Sequence, residues 1–224
     1  MRLIGLNVFL WLALSACVYG ETLSLWDFND ATPGIAGGEQ EFLVDHGSGL
    51  MDSNFALSNI GNLTGSIENN PYGDPAGRAL WLSGSANNGS SLTWMTSTAG
   101  FSSIEISFAI QRTGTGFNNN QFQYTVDSGE SWINFGDLFD PETSFAVLSF
   151  DLSGIMELIN NPNAGFRIVF DGATSASGNN RIDNLMVSGT PIDPSDSTQV
   201  PESSTVILVS IGTVCACLSR FKFA

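Results

Sequence analysis

Basic residues are scarce in this chain. It is 224 residues long and carries 7 Lys+Arg against 22 Asp+Glu, a formal net charge of −15. Nucleic-acid binding is excluded on that ground, because phosphate neutralisation needs clustered lysines and arginines. A polybasic patch for an anionic membrane surface is missing for the same reason. There is one histidine, His46, which leaves no second imidazole for a transition-metal cluster and limits imidazole-based catalysis. Only three cysteines occur, and Cys17, Cys215 and Cys217 all lie near the ends. The stretch between them has neither a disulfide nor a thiol nucleophile and must hold its fold by core burial. Charged residues are only 13% of the chain, too few for a disordered polyelectrolyte when 42% is hydrophobic. What the chain does have is 24 Gly, 16 Phe and 5 Trp, the composition of a turn-rich β protein with an aromatic core.

The ends have a different grammar from the middle. Arg2 followed by the apolar run Leu3 to Leu14 reads as an export signal over residues 1–20. Two processing readings stand. Val18-Tyr19-Gly20 offers small residues for cleavage before Glu21, while Leu14-Ser15-Ala16-Cys17 is similar to a bacterial lipobox that would place a lipid on Cys17. At the other end, residues 190–204 form a Pro/Ser/Asp/Thr linker. The apolar run Thr205 to Leu218 and the basic tail at Arg220 and Lys222 complete an anchor over 205–224. That order predicts an apolar anchor helix held by a basic stop, leaving the preceding domain outside the membrane. It resembles the PEP-CTERM sorting signal of bacterial surface proteins, with Pro201-Glu202-Ser203 standing where the family has Pro-Glu-Pro. The resemblance implies an exosortase, a membrane cysteine transpeptidase, as processing partner, and a destination at the cell surface or in the extracellular matrix.

Residues 21–189 read as one domain of short strands. Ser103 to Ile110 places Ile104, Ile106, Phe108 and Ile110 on one face, a period of two. Thr22–Phe28 alternates with Leu23, Leu25 and Asp27 opposite Ser24, Trp26 and Phe28. Further strands are expected at 79–82, 92–95, 121–126, 132–135, 146–152, 166–170 and 181–187, with one helical turn at 154–160 where Ile155, Leu158 and Ile159 share a face. Nine or ten strands without alternating helices predict an all-β, antiparallel β-sandwich of jelly-roll type.

Thr125-Val-Asp127-Ser-Gly129-Glu-Ser131-Trp132 matches the Asp-box pattern found in sialidases and other β proteins. Its physics is that of a turn. Asp127 accepts backbone N–H bonds, Gly129 supplies a positive φ, and Trp132 packs beneath. The run from Asp151 through Asn184, with the opening Trp26-Asp27-Phe28-Asn29, resembles jelly-roll modules of exported bacterial surface proteins and, more distantly, carbohydrate-binding modules. The resemblance implies paired first and last strands pinned by a structural Ca2+, carried here by Asp27 and Asp183, with Asn29, Asp30 and Asn180 as further oxygen donors. The competing reading pairs Asp183 with Arg181 or Arg167. Among aromatics, Trp81 and Trp94 lie in apolar runs and read as core. Tyr72, in a turn-rich loop, and Arg78 after it are the candidate ligand-binding residues. No Gly-x-Ser-x-Gly occurs, and no motif supports catalysis. The expected function is therefore non-catalytic: adhesion, matrix structure or polysaccharide recognition. A calcium-dependent carbohydrate-binding module stands as an alternative, and a glycosidase or lyase as a second.

Overall fold

In the computed structural model, residues 20–29, 34–36 and 39–193 are described. The compact unit that contains the fold ends at Pro191. The signal segment with Cys17, the residue Asp30, and the sorting motif Pro201, Glu202, Ser203 with its anchor lie outside the described residues. No helix among the described residues is long and apolar enough to cross a membrane.

The strands in chain order begin with β1 (Glu21–Trp26), β2 (Gly34–Ala36), β3 (Glu39–Glu41), β4 (His46–Gly47) and β5 (Leu50–Ser53). Then come β6 (Ile60–Thr64), β7 (Arg78–Ser83), β8 (Ser90–Met95), β9 (Phe101–Arg112) and β10 (Gln121–Thr125). The last are β11 (Ile133–Asn134), β12 (Ala146–Asp151), β13 (Gly165–Phe170) and β14 (Asn179–Pro191). Apart from the small β2–β3 hairpin they form two antiparallel sheets. One runs β11-β10-β13-β8-β5. The other has seven strands, β12-β9-β14-β1-β4, with β7 also on β14 and β6 beyond β7. The chain is an all-β antiparallel sandwich of jelly-roll type.

Alternation builds the core. In β9, Ile104, Ile106, Phe108 and Ile110 are buried, and in β13 Phe166, Ile168 and Phe170 are buried while Arg167 and Val169 are not. Trp94 and Phe122 join them from the five-stranded sheet. Phe122 stacks on Phe150 at 4.1 Å with an 8° interplanar angle. Trp94 is wholly buried, as its apolar run implies. Trp81, in a similar run, is only half-buried.

Two expectations change. Alternation fails in β1, where Leu23, Ser24, Leu25 and Trp26 are all buried. A register irregularity between Thr22 and Ser24 puts Leu23 into the core with Trp26 and Phe28. The helical turn near 154–160 is a 3-10 turn of three residues, Met156–Leu158, which buries only Leu158. It has no side-chain cap, and Asn160 leaves it at φ 54°.

The long β14 changes partner midway. Asn180 to Ile182 pair with β7, whereas Leu185 to Gly189 pair with β1. Asp183 and Asn184 sit at the changeover, in an irregularity of the β14–β9 register. Neither neighbour covers them there, so the loop after β6 does. Asn184 Nδ2 donates to the Ser66 and Glu68 carbonyls at 3.0 and 2.8 Å, and Asn69 Nδ2 donates to the Asn184 carbonyl at 2.8 Å.

Candidate ligand-binding face

The residues of the five-stranded sheet that point away from the core fall into register. Asn134 opposes Gln123, Gln123 opposes Arg167, Arg167 opposes Thr93, and Thr93 opposes Asp52. One polar side chain from each strand therefore stands in a single transverse row. Four inter-strand steps of about 4.8 Å make it roughly 19 Å long. The row is partly wired. Gln123 Nε2 donates to Asn134 Oδ1 at 2.6 Å, and Arg167 Nε donates to Gln123 Oε1. The Arg167 guanidinium lies over the Trp132 ring, 4.3 Å from its centroid. Partial burial lowers the Arg167 pKa from its ordinary value.

Trp132 is held by the turn its motif implies. Asp127 accepts hydrogen bonds from Ser131 N (3.0 Å), Ser131 Oγ (2.5 Å) and Thr125 Oγ1 (2.6 Å). These bonds, from the Ser131 hydroxyl first, lower its pKa to about 2. Gly129 has φ 89°, and a Cβ there would stand 3.6 Å from the indole. The turn does more than close a hairpin, because Ser128, Gly129 and Trp132 form one wall of a hollow of about 1030 Å3. Thr93, Met95 and the β5 residues Leu50 and Asp52 complete much of the rest. Leu43 (72% exposed) and Leu50 (77%) give it an apolar side. The hollow thus sets the Thr93 and Asp52 side chains of the row against the apolar surface of Leu43, Leu50 and Trp132.

The candidate cation group lies elsewhere, at the β14 changeover. Asp183 is buried. Its Oδ2 accepts from Ser66 N at 2.6 Å and its Oδ1 from Asn184 N at 2.9 Å. Burial, with a smaller like-charge contribution from Asp27, pushes its carboxyl up to about 7 against those two bonds. Asp27 accepts from Asn29 N and Nδ2, and Asn29 Oδ1 accepts from Arg78 N at 2.7 Å. Asp27, Asn29 and Asp183 are therefore neighbours. Asn180 is not brought to them, since its amide closes on the Phe117 backbone, Oδ1 accepting from N at 2.9 Å and Nδ2 donating to O at 3.0 Å. Asp183 forms no ion pair with Arg181 or Arg167; the ion pair found among the described residues is Arg112–Asp140.

Tyr72 is 51% exposed and stacks on His46 at 4.0 Å. Arg78 lines a shallow hollow of about 520 Å3 with Asp27, Asn29, Asp74, Pro75 and Gly77, and Tyr72 is not part of it. The two predicted ligand residues therefore do not share a pocket. Gln123, Thr93 and Asp52 drew no attention as sequence. Their only signal is that they are the polar partners of buried residues in alternating strands.

No protein-family model and no curated protein matches the chain. Among solved structures it is similar to the CBM22-1 xylan-binding domain of Xyn10C from Paenibacillus barcinonensis, at 12% identity and TM-score 0.45, over 80% of this chain and 100% of that one. It is also similar to domain 4 of AbnA, a GH43 extracellular arabinanase from Geobacillus stearothermophilus, solved with arabinotriose (15%, TM-score 0.42, 80% and 97%). A third is TmCBM61 in complex with β-1,4-galactotriose (8%, TM-score 0.38, 61% and 86%). The sugars in these structures belong to those proteins.

Proposed function

We propose that this is an exported, non-catalytic polysaccharide-binding protein of the cell surface or extracellular matrix, and that it binds through the outer face of the five-stranded sheet. One observation carries the reading: the row Asn134–Gln123–Arg167–Thr93–Asp52 beside Trp132. Amide, guanidinium, hydroxyl and carboxylate groups match the donors and acceptors of sugar hydroxyls, and the indole and leucines suit the CH faces of the rings. The terminal nitrogens of Arg167 make no hydrogen bond among the described residues and are free for a ligand. Because Arg167 is already fixed by Gln123 and Trp132, binding costs little side-chain entropy. Among the described residues Asp52 is the sole carboxylate lining the hollow, whereas glycoside hydrolysis ordinarily needs two. That favours retention of a glycan over its cleavage.

Calcium would have a structural part. Asp27, Asn29 and Asp183 would hold it, with the Ala76 carbonyl and others completing the roughly six to eight oxygens it takes. The fit rests on two observations. A buried carboxylate lies near a second acid with no basic side chain paired to it. A cradle also stands beside it that a Cβ would fill: at Gly65 one would strike the Ala76 carbonyl and the Asp183 carboxylate, and at Gly77 one would strike Asn29 Oδ1. The ion would neutralise Asp183 and tie the start of the domain to its last strand. Export and exosortase sorting rest on the terminal segments of the sequence alone.

The full chain run against a polysaccharide panel, with calcium and with EDTA, tests the reading. We expect retention on at least one glycan and loss of about tenfold or more in W132A, since alanine removes both the ring and the seat of Arg167. Retention unchanged in W132A would overturn this face as the site. Retention abolished by EDTA would support the calcium assignment, and indifference to EDTA would remove it.

A further inference from the structure

The seven-stranded sheet carries a second row on its own outer face. Gly61 opposes Trp81, Trp81 opposes Arg181, and Arg181 opposes Gln111. Beside its Arg181–Gln111 end lies a hollow of about 430 Å3 lined by Gln111, Arg112, Thr113, Thr143, Asn179 and Arg181 among others. The two arginines differ. Arg112 grips Asp140 through Nε at 2.5 Å and Nη2 at 3.1 Å, so its charge is matched. The Arg181 guanidinium has no hydrogen bond or ion pair among the described residues, in a chain where acids outnumber bases 22 to 7; unlike Arg167 it has no side-chain partner to fix it.

Asn179 supplies the second observation. It is 8% exposed, and its Nδ2 donates to the Ser177 carbonyl at 3.0 Å, while its Oδ1 has no partner. A buried carbonyl oxygen left unpaired needs a donor, and Asn179 is among the residues that line the hollow. The site therefore offers a free two-pronged cation and an unsatisfied acceptor. An ionised phosphate or sulfate would satisfy the first and leave the second, because such groups mainly accept. A neutral sugar would satisfy the second and meet the guanidinium only through hydroxyl hydrogen bonds, with no ion pair. A sugar acid answers both, with its carboxylate on the guanidinium fork and a ring hydroxyl donating to the amide oxygen.

We propose that Arg181, Asn179 and Gln111 form a second binding site, specific for uronate-containing polysaccharide, on the sheet opposite the Trp132 face. With a site on each side of the sandwich, one molecule could hold two polysaccharide chains.

The test uses the full chain and trigalacturonate, followed by titration calorimetry, with galactotriose as the uncharged control. Wild type should bind trigalacturonate, more weakly as salt rises. R181Q should weaken that binding about tenfold or more, and R181K by less, because lysine keeps the charge but loses the fork. Q111E, which sets a carboxylate beside Arg181, should also weaken it, and thermal midpoints of all variants check the fold. W132A should leave it unchanged, which separates this site from the other face. Equal affinity of wild type and R181Q, absence of wild-type binding, or loss of trigalacturonate binding in W132A would each overturn the proposal.

Discussion

Asp183 and Asp127 are two acids of one small domain pushed in opposite directions. Asp183 is buried, so its charged form is disfavoured and its pKa rises to about 7, whereas Asp127 is wrapped in hydrogen bonds and falls to about 2. The consequences for stability have opposite signs. For Asp183 the native state binds its proton more tightly than the unfolded chain. That contribution is fully present below the unfolded value of 3.8 and is lost as pH rises through about 7. In EDTA the thermal midpoint should therefore fall between about pH 4 and pH 7 and level off above that. D27N, by removing the like charge, should shift that fall to lower pH. Calcium should restore the midpoint chiefly at the alkaline end, where a charged Asp183 is there to meet it. A midpoint flat across this range would remove Asp183 as its source. Asp127 stabilises above 3.8 and loses its contribution as pH falls toward 2. Its replacement in D127A should quicken amide exchange at Ser131 and reduce glycan retention, because Trp132 is held by that turn. Unaltered retention in D127A would show that Trp132 keeps its place without the carboxylate.

At the scale of elements, strand interiors were the legible part. The alternation in β9 and β13 predicts the buried faces because one side chain in two must leave water. Several short elements were not legible. β4, β5 and β6 are two to five residues long and exist because a longer neighbour offers a hydrogen-bonding edge. The irregular start of β1 likewise depends on its pairing with β14, so alternation read along the chain could not foresee it. The aromatic layer is the element-scale feature most open to measurement. Phe122 is wholly buried between Phe150, Trp94 and Phe166. F122A should cost about 3–5 kcal/mol in urea unfolding, from lost transfer energy and the cavity left behind. F122L should cost clearly less, and a cost below about 1 kcal/mol would mean that the layer repacks.

The whole molecule is a sandwich with a different chemistry on each broad face. The face of the five-stranded sheet carries a long polar row beside Trp132, and the opposite face carries Trp81, Arg181 and a compact polar hollow. With no cysteine in the domain, both faces rest on the aromatic core between them. If both are occupied, wild type should precipitate a mixture of neutral and uronate polysaccharides that W132A and R181Q each leave in solution. Precipitation persisting in either variant would argue that one face alone bridges the chains.

By itself the sequence determined the class of fold, the buried faces of strands such as β9 and β13, and the turn around Asp127. Those follow from local rules: side chains alternate along a strand, and an Asp-box turn is closed within a few residues. Tertiary structure alone decided which polar residues share a face. Gln123, Arg167, Thr93 and Asp52 come from four strands spread over more than half of the domain and meet only through pairing register. Asn180 and Asp183 are three residues apart, yet one closes on Phe117 while the other is buried at the changeover beside Asp27. The partner change of β14 separates them, and it is fixed by where β7 begins and β1 ends.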